Sequence, residues 1–357
     1  MDSAPTQRRD DEARLASLID NAALARWMDA QKLPGSGSPL EAKFIAGGAS
    51  NEVVEIRRGG ERFVLRRPPQ NVPTGRNQTM LREYRVLSAL RDSDVPHARV
   101  HAGCDDESVI GSFFYLMDFV DGWTPMSRMD APFDTDLEAR REMGFELVGA
   151  IAKLANVDWR AAGLEGLGKP EGFLERQVDR WLAHLSSFKF REIPGLDQAA
   201  NWLREHTPRE FRSGILHGDY QFANVMFAHG APARLAAIVD WEMSTVGDPL
   251  LDLGWVLMSW PDPEERTNND SEMAYFDYTG MPTRAELTQY YAERSNLPVD
   301  ALDYYIVLAR FKMACVLEGG YARYVAGGAD NPKMESFGAV VLEMAAKAAA
   351  LAESSRL

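Results

Sequence analysis

The chain has 357 residues, of which 45% are hydrophobic and 26% charged, and its formal net charge is −14. Such a length suggests about two domains or one two-lobed unit, with enough apolar material for a sizeable core. The acidic balance argues against a nucleic-acid backbone or an anionic membrane as the main partner, because both recruit a basic excess.

Only two cysteines occur, Cys104 and Cys315. They make neither a disulfide framework nor a zinc spacing, so a reducing cytoplasm is the expected setting. Residues 1–10 carry no apolar signal core. The apolar run 250–260 is short and contains Asp252, so no transmembrane span is expected.

In chain order, residues 1–12 are polar and read as loose. Residues 15–31 have helical spacing through Leu15, Leu18, Ile19, Ala22, Ala23, Arg26 and Trp27, and the Gly, Ser and Pro residues of 33–39 mark a loop. A β segment follows: 40–45, the turn Gly47-Gly48-Ala49-Ser50-Asn51, a strand at 53–57, a Gly59-Gly60 hairpin turn and a return strand at 62–66 that Pro68 and Pro69 stop. Residues 79–91 read as a helix whose apolar stripe is Met80, Tyr84, Leu87 and Leu90, with Glu83 on the same side. Residues 109–120 give two strand-like pieces around Gly111.

From about residue 121 the texture becomes helical. Helices are predicted at 137–156, 174–188, 196–206, 250–259, 284–295, 300–318 and 335–353, and 261–282 reads as a long exposed loop. The expected organisation is an N-terminal helical extension (1–39), a small β-rich lobe (40–120) and a larger helical lobe (121–357). The fold class is α+β with a cleft.

The chemistry concentrates in Ile215-Leu216-His217-Gly218-Asp219-Tyr220-Gln221-Phe222-Ala223-Asn224-Val225-Met226-Phe227. Apolar residues enter and leave this loop, and a spacing of five can turn Asp219 and Asn224 toward one point. An aspartate there can orient a substrate hydroxyl and accept its proton, while an asparagine oxygen can ligate Mg²⁺. A second apolar run, 235–239, ends in Asp240. Two hard oxygen donors plus phosphate oxygens suit Mg²⁺. The plainer reading makes each of these a turn or capping residue; the combination between apolar strands outweighs it.

His217-Gly218-Asp219 with Asn224, Asp240-Trp241-Glu242 and Gly247-Asp248-Pro249-Leu250-Leu251-Asp252-Leu253 resemble the aminoglycoside phosphotransferase-like branch of the kinase fold. Phe63-Val64-Leu65-Arg66-Arg67-Pro68-Pro69, Arg82-Glu83-Tyr84-Arg85 and Leu317-Glu318-Gly319-Gly320 look most like the phosphotransferase domain fused to some acyl-CoA dehydrogenases. The resemblance extends over about residues 40–320. It implies a two-lobed protein-kinase-like fold, with Asp219 as catalytic base, Asn224 and Asp240 as Mg²⁺ ligands and MgATP as phosphoryl donor. His217 then supports the loop, and Asp248 and Asp252 cap and anchor the following helix.

For the nucleotide, the resemblance points to Gly47, Gly48, Ala49, Ser50 and Asn51 under the phosphates. It points to Met117 and Phe119 in the hinge beside adenine, and to a basic residue at the end of the third strand. Here that residue is arginine where the family has lysine: Arg66, with Arg67 competing, because successive strand residues face opposite ways. Glu83 is the expected partner. Trp181, Arg310, Glu318, Tyr321 and the loop 261–282 are candidates for the acceptor side, with core packing or surface exposure as the plainer reading. The function expected is ATP- and Mg²⁺-dependent transfer to a hydroxyl of a small molecule, aminoglycoside-like or hydroxyacyl-type. The competing readings are a nucleotide-binding pseudokinase, suggested by Arg66, and a metal-dependent phosphoesterase using His217, Asp219 and Asp240. The oligomeric state is not legible.

Overall fold

The computed structural model describes residues 5–47, 51–69, 76–126, 129–266, 276–328 and 331–357. The chain divides into two compact units. The first holds the residues up to Asp121 together with Ala237–Glu242; the second holds Gly122–Ala236 and Met243–Leu357.

The first unit begins with α1 (Pro5–Leu18) and α2 (Asn21–Ala30). Its sheet has five antiparallel strands, β1 (Leu40–Gly47), β2 (Glu52–Arg58), β3 (Glu61–Arg67), β4 (Val100–Cys104) and β5 (Phe114–Asp118), in the order β1-β2-β3-β5-β4. Helix α3 (Arg76–Ala89) and the single turn α4 (Glu107–Ile110) complete it. Gly59 and Gly60 sit at φ +60° and +85°, the conformation a two-residue hairpin loop needs, and they set the Arg58–Glu61 register.

The N-terminal segment departs from expectation. Residues 5–18 are helical rather than loose, and the predicted helix at 15–31 is two helices. Asp20 causes the break, because its carboxylate accepts the N–H groups of Ala22 (2.9 Å) and Ala23 (3.0 Å) and starts a new helix. Tertiary contacts explain the rest. Leu18, Ile19, Leu24 and Met28 share one buried cluster with Val54, Ile56, Phe63, Leu65, Phe114 and Leu116 of the sheet. Charged side chains fasten the same face: Arg58 pairs with Asp29 at 2.8 Å, Arg14 pairs with buried Glu52, and Arg67 donates to the carbonyl of Leu18. The extension is therefore a layer of this unit's core.

Two further differences are local. The first predicted piece of 109–120 is helical, with Asp106 capping α4 and Gly111 ending it at φ +81°. Strand β4 was not anticipated, since Val100-His101-Ala102-Gly103-Cys104 lacks a clean alternation.

The second unit contains α5 (Leu137–Asn156), α6 (Gln177–Ser186), α7 (Leu196–Glu205), the short strands β6 (Gly214–Leu216) and β7 (Val225–Phe227), then β8 (Leu235–Ile238), which leads the chain into the first unit. After the return come β9 (Thr245–Gly247), α8 (Leu250–Leu257), α9 (Arg284–Ser295), α10 (Leu302–Val325) and α11 (Phe337–Ser354). β6 pairs antiparallel with β9. Helix α10 is the axis of the unit: every residue from Tyr304 to Cys315 is buried, with α6, α7, α8 and α11 packed around it. It runs seven residues past its predicted end and stops at the left-handed Gly327 (φ +73°), where the Gly327 N–H bonds to the Tyr324 carbonyl and the Gly328 N–H to that of Arg323. Of the predicted exposed loop, 267–275 lies outside the described residues, while Phe276 and Met281 at its end are buried. Among the described residues no helix is long and apolar enough to cross a membrane.

Met28 is fully buried between α2 and the sheet. Met28→Ala is expected to destabilise the first unit by about 2–5 kcal/mol, the usual range for a buried Met-to-Ala cavity. Urea unfolding followed by circular dichroism measures it; a cost below about 1 kcal/mol would place the extension outside the core.

Candidate active site

The loop after β6 is built from outside itself. Asp252, in the first turn of α8, accepts the backbone N–H of His217 at 2.6 Å and of Gly218 at 2.9 Å. Its carboxylate thus anchors the loop rather than its own helix, which corrects the sequence expectation. Burial pushes the Asp252 carboxyl up, against the pull of His217 and the two N–H donors. Gly218 sits at φ +85°, and a Cβ there would lie 2.6 Å from the carbonyl oxygen of Met243, so only glycine fits.

Asp219 and Asn224 come together. The Asn224 amide donates to the Asp219 main-chain oxygen at 2.8 Å and to Oδ2 at 2.9 Å, and Gln221 Nε2 donates to Oδ1 at 3.0 Å. The carboxylate is thereby fixed while remaining partly accessible. His217 is fully buried, and its Nδ1 faces the Asp219 N–H at 3.4 Å. Tyr220 pins the loop by donating to the Leu147 carbonyl at 2.8 Å. Lys312, which the sequence reading passed over, donates to the Gly218 carbonyl at 2.6 Å from the middle of α10. Its signal in the sequence was a lysine, close to Arg310, inside a mainly apolar helical run.

Asp248 accepts the Tyr305 hydroxyl at 2.6 Å and the Leu250 N–H at 3.1 Å, the latter a cap on α8. Burial pushes its carboxyl up to about 6 despite both donors.

In the first unit, the two candidate arginines of β3 part as alternation requires. Arg67 turns under the sheet to the carbonyls of Leu18, Ile110 and Pro68. Arg66 faces α3, where its Nη1 lies 3.0 Å from Glu83 Oε1, and its Nη2 lies 3.7 Å from Asp240 Oδ1. Burial works against the Arg66 charge, but Tyr115, Glu83, Asp240 and Glu242 raise it overall, so the guanidinium stays ionised. Burial pushes the Glu83 carboxyl up, and Arg66 pulls it back. Asp240 follows β8 with φ +63°, beyond the point where the Ile238 N–H bonds to the Pro96 carbonyl.

Of the remaining candidates, Gly48, Ala49 and Ser50 lie outside the described residues. Gly47 ends β1 opposite Glu52, and Asn51 is buried. Met117 sits in the β5 ladder opposite Val64 and Val100, and the Phe119 ring lies 3.5 Å beneath the Arg62 guanidinium. The acceptor-side candidates are engaged in packing. Trp181 bonds to Gln177, Arg310 to the carbonyls of Met258 and Lys347, and Glu318 to Arg191, which covers Tyr321. An open depression of about 690 Å³ in the second unit is lined, among the described residues, by Met126, Met129, Asp130, Ala131, Asp134, Arg140 and Asp277.

Among the described residues no group of three or more His, Cys, Asp or Glu could hold a metal ion. The donor set expected for Mg²⁺ is smaller and harder. Asn224 spends both amide hydrogens on Asp219, which leaves Oδ1 for a cation, and the Asp240 side chain is 41% exposed. Each side chain offers the hard oxygen donor that such an ion takes.

Two outcomes follow from these environments. Arg66→Ala strands Glu83 as a buried carboxylate and is expected to cost about 3–5 kcal/mol in urea unfolding, while Arg66→Lys costs much less. The Asp248 carboxyl is raised on folding, so its contribution is complete below its ordinary value near 3.8 and is lost as pH rises through about 6. The stability gap between wild type and Asp248→Asn is expected to shrink by up to about 3 kcal/mol across that window, measured by urea unfolding at each pH. A gap that widens with pH would reverse the assignment.

Residues 41–287 match the family model described as the phosphotransferase enzyme family. The chain is 30% identical over 348 residues to acyl-CoA dehydrogenase family member 11 of Gallus gallus, covering 94% of this chain and 44% of the relative; it thus spans less than half the length of the curated relatives it matches. A candidate aminoglycoside phosphotransferase from Ralstonia eutropha JMP134 superposes with a TM-score of 0.82 at 31% identity, covering 95% of this chain and all of that one. At 12% identity the fold alone is shared with aminoglycoside phosphotransferase APH(4)-Ia, solved with ADP and hygromycin B (TM-score 0.56, covering 93% of this chain and 98% of that one). The chain belongs to the phosphotransferase enzyme family and has the kinase-like fold.

Proposed function

We propose that the protein transfers the γ-phosphoryl group of ATP, with Mg²⁺, to a hydroxyl of a small molecule. The observation that carries this reading is the fixed Asp219 carboxylate, held by Asn224 and Gln221 on a loop anchored by Asp252. A carboxylate so held orients an acceptor hydroxyl and takes its proton as the phosphorus–oxygen bond forms. The Arg66 fork, ionised beside Glu83, provides the charge for the nucleotide phosphates, and the backbone at Met117–Phe119 takes the adenine. Asn224 and Asp240 would hold Mg²⁺, which when bound offsets phosphate charge. Positioning and electrostatics supply most of the rate in such a site. The nucleotide complex of the distantly related APH(4)-Ia supports an adenine nucleotide as donor.

For the acceptor we favour a hydroxyacyl-type molecule. The acyl-CoA dehydrogenase relatives support it, as do Met126, Met129 and Ala131 in the depression. The second reading is an aminoglycoside-like polyamine, which Asp130, Asp134 and Asp277 on the same lining favour. The proposed setting is the cytoplasm. The pseudokinase reading loses weight because Arg66 has its carboxylate partner, and the phosphoesterase reading because His217 is fully buried.

An ATP-consumption assay against hydroxyacyl-CoAs, choline, homoserine and aminoglycosides tests the acceptor. Asp219→Ala and Asp240→Ala are each expected to lower turnover by about 10²-fold or more with the protein still folded. Full activity in either variant sinks the assignment. Mg²⁺-dependent ATP turnover that disappears in Asp240→Ala separates an enzyme from a pseudokinase.

A further inference from the structure

Every residue of α10 from Tyr304 to Cys315 is buried, so an apolar side chain would serve packing at each of these positions. Lys312 is nevertheless there, 6% exposed. An ammonium in such a place costs its hydration, and replacing buried charge with a well-packed apolar side chain is often neutral or stabilising. Its presence asks for a reason beyond stability.

The geometry supplies one. The Lys312 Nζ donates to the Gly218 carbonyl at 2.6 Å and lies 4.3 Å from the centre of the Trp255 ring and 5.5 Å from that of Trp181. On the other side of the same glycine, Asp252 Oδ1 accepts the Gly218 N–H at 2.9 Å. The two peptide groups that flank Gly218 are thus held by buried groups of opposite charge. Gly218 is also the residue with the freest backbone in the loop, at φ +85°. Rotation of the peptide after Gly218 would take its carbonyl off Lys312 and swing Asp219, which hangs from that peptide. Asp252 restrains only the peptide before Gly218, and the other hold on the peptide after it is the long 3.4 Å contact of the Asp219 N–H with His217 Nδ1, which is weaker than the Lys312 bond.

We propose that Lys312 is a positioning residue of the phosphoryl-transfer site, clamping the Gly218–Asp219 peptide by its carbonyl so that the Asp219 carboxylate keeps one direction. The proposal rests on the reading of Asp219 as the base. Burial pushes the ammonium down to about 8, while Asp219 and Asp252 pull it back up, so it remains charged at neutral pH. The charge makes the carbonyl bond stronger than a neutral donor could, and the tryptophan rings keep competing water from Nζ.

The test uses the full chain and Lys312→Met, Lys312→Gln and Lys312→Arg. Amide hydrogen exchange across residues 214–226 is compared with that of α5 as internal reference. Lys312→Met and Lys312→Gln are expected to speed loop exchange about tenfold or more with α5 unchanged, while Lys312→Arg stays near wild type. Turnover of MgATP should fall at least tenfold in Lys312→Met, with AMP-PNP affinity within about twofold of wild type and no loss of melting temperature. Unchanged loop exchange, or faster exchange spread evenly through α5, α8 and α10, overturns the proposal. Asp219→Asn is the control: if it turns over normally, the kinase reading fails, while loop exchange in the Lys312 variants still decides the clamp.

Discussion

The site depends on one buried carboxylate meeting two backbone N–H groups. A loop between two three-residue strands has almost no hydrogen-bonding framework of its own, and its first residues are buried, where unpaired N–H groups are costly. Asp252 satisfies both, from a helix that itself belongs to the core. With His217 and Gly218 so fixed, Tyr220 tied to Leu147 and Asn224 folded back onto Asp219, the carboxylate that faces outward has little freedom left. A reaction that relies on positioning needs that rigidity before substrate arrives.

The first unit repeats this logic with the signs exchanged. Arg66 is a buried cation made tolerable by Glu83 on α3 and by Asp240 after β8. An arginine at this position gives a planar fork that contacts Glu83 and Asp240 through different nitrogens. The same sheet buries its other face under α1 and α2. There Arg58 and Arg67 spend their donors on Asp29 and on main-chain carbonyls, a structural task for side chains chemically identical to Arg66.

Much of this was legible in the chain itself. The strand and helix periods located β2, β3, α5, α7 and α9, and the spacing of Asp219 and Asn224 within one loop is a local property that a linear reading can evaluate. Misreadings fell where local signals are weak or overruled. Residues 1–12 read as loose, whereas the helix already begins at Pro5. The piece from Val109 to Gly111 looks like strand, but Asp106 and Gly111 cap a helical turn over Glu107–Ile110. The end of α10, seven residues beyond the predicted one, is set by a glycine stop at Gly327-Gly328.

What the sequence determined by itself is the chemistry available: an aspartate and an asparagine at one loop, an acid after an apolar run, a basic strand end, and a family likeness resting on those motifs. What only the tertiary structure decided is which of several equivalent residues takes each role. Arg66 differs from Arg67 only by facing α3, and Asp252 serves a loop 35 residues earlier rather than its own helix. Lys312 reaches Gly218 across 94 residues of chain. Hydrogen bonds and ion pairs act over about 3–4 Å whatever the separation along the chain, so pairings of this kind leave no mark in local sequence.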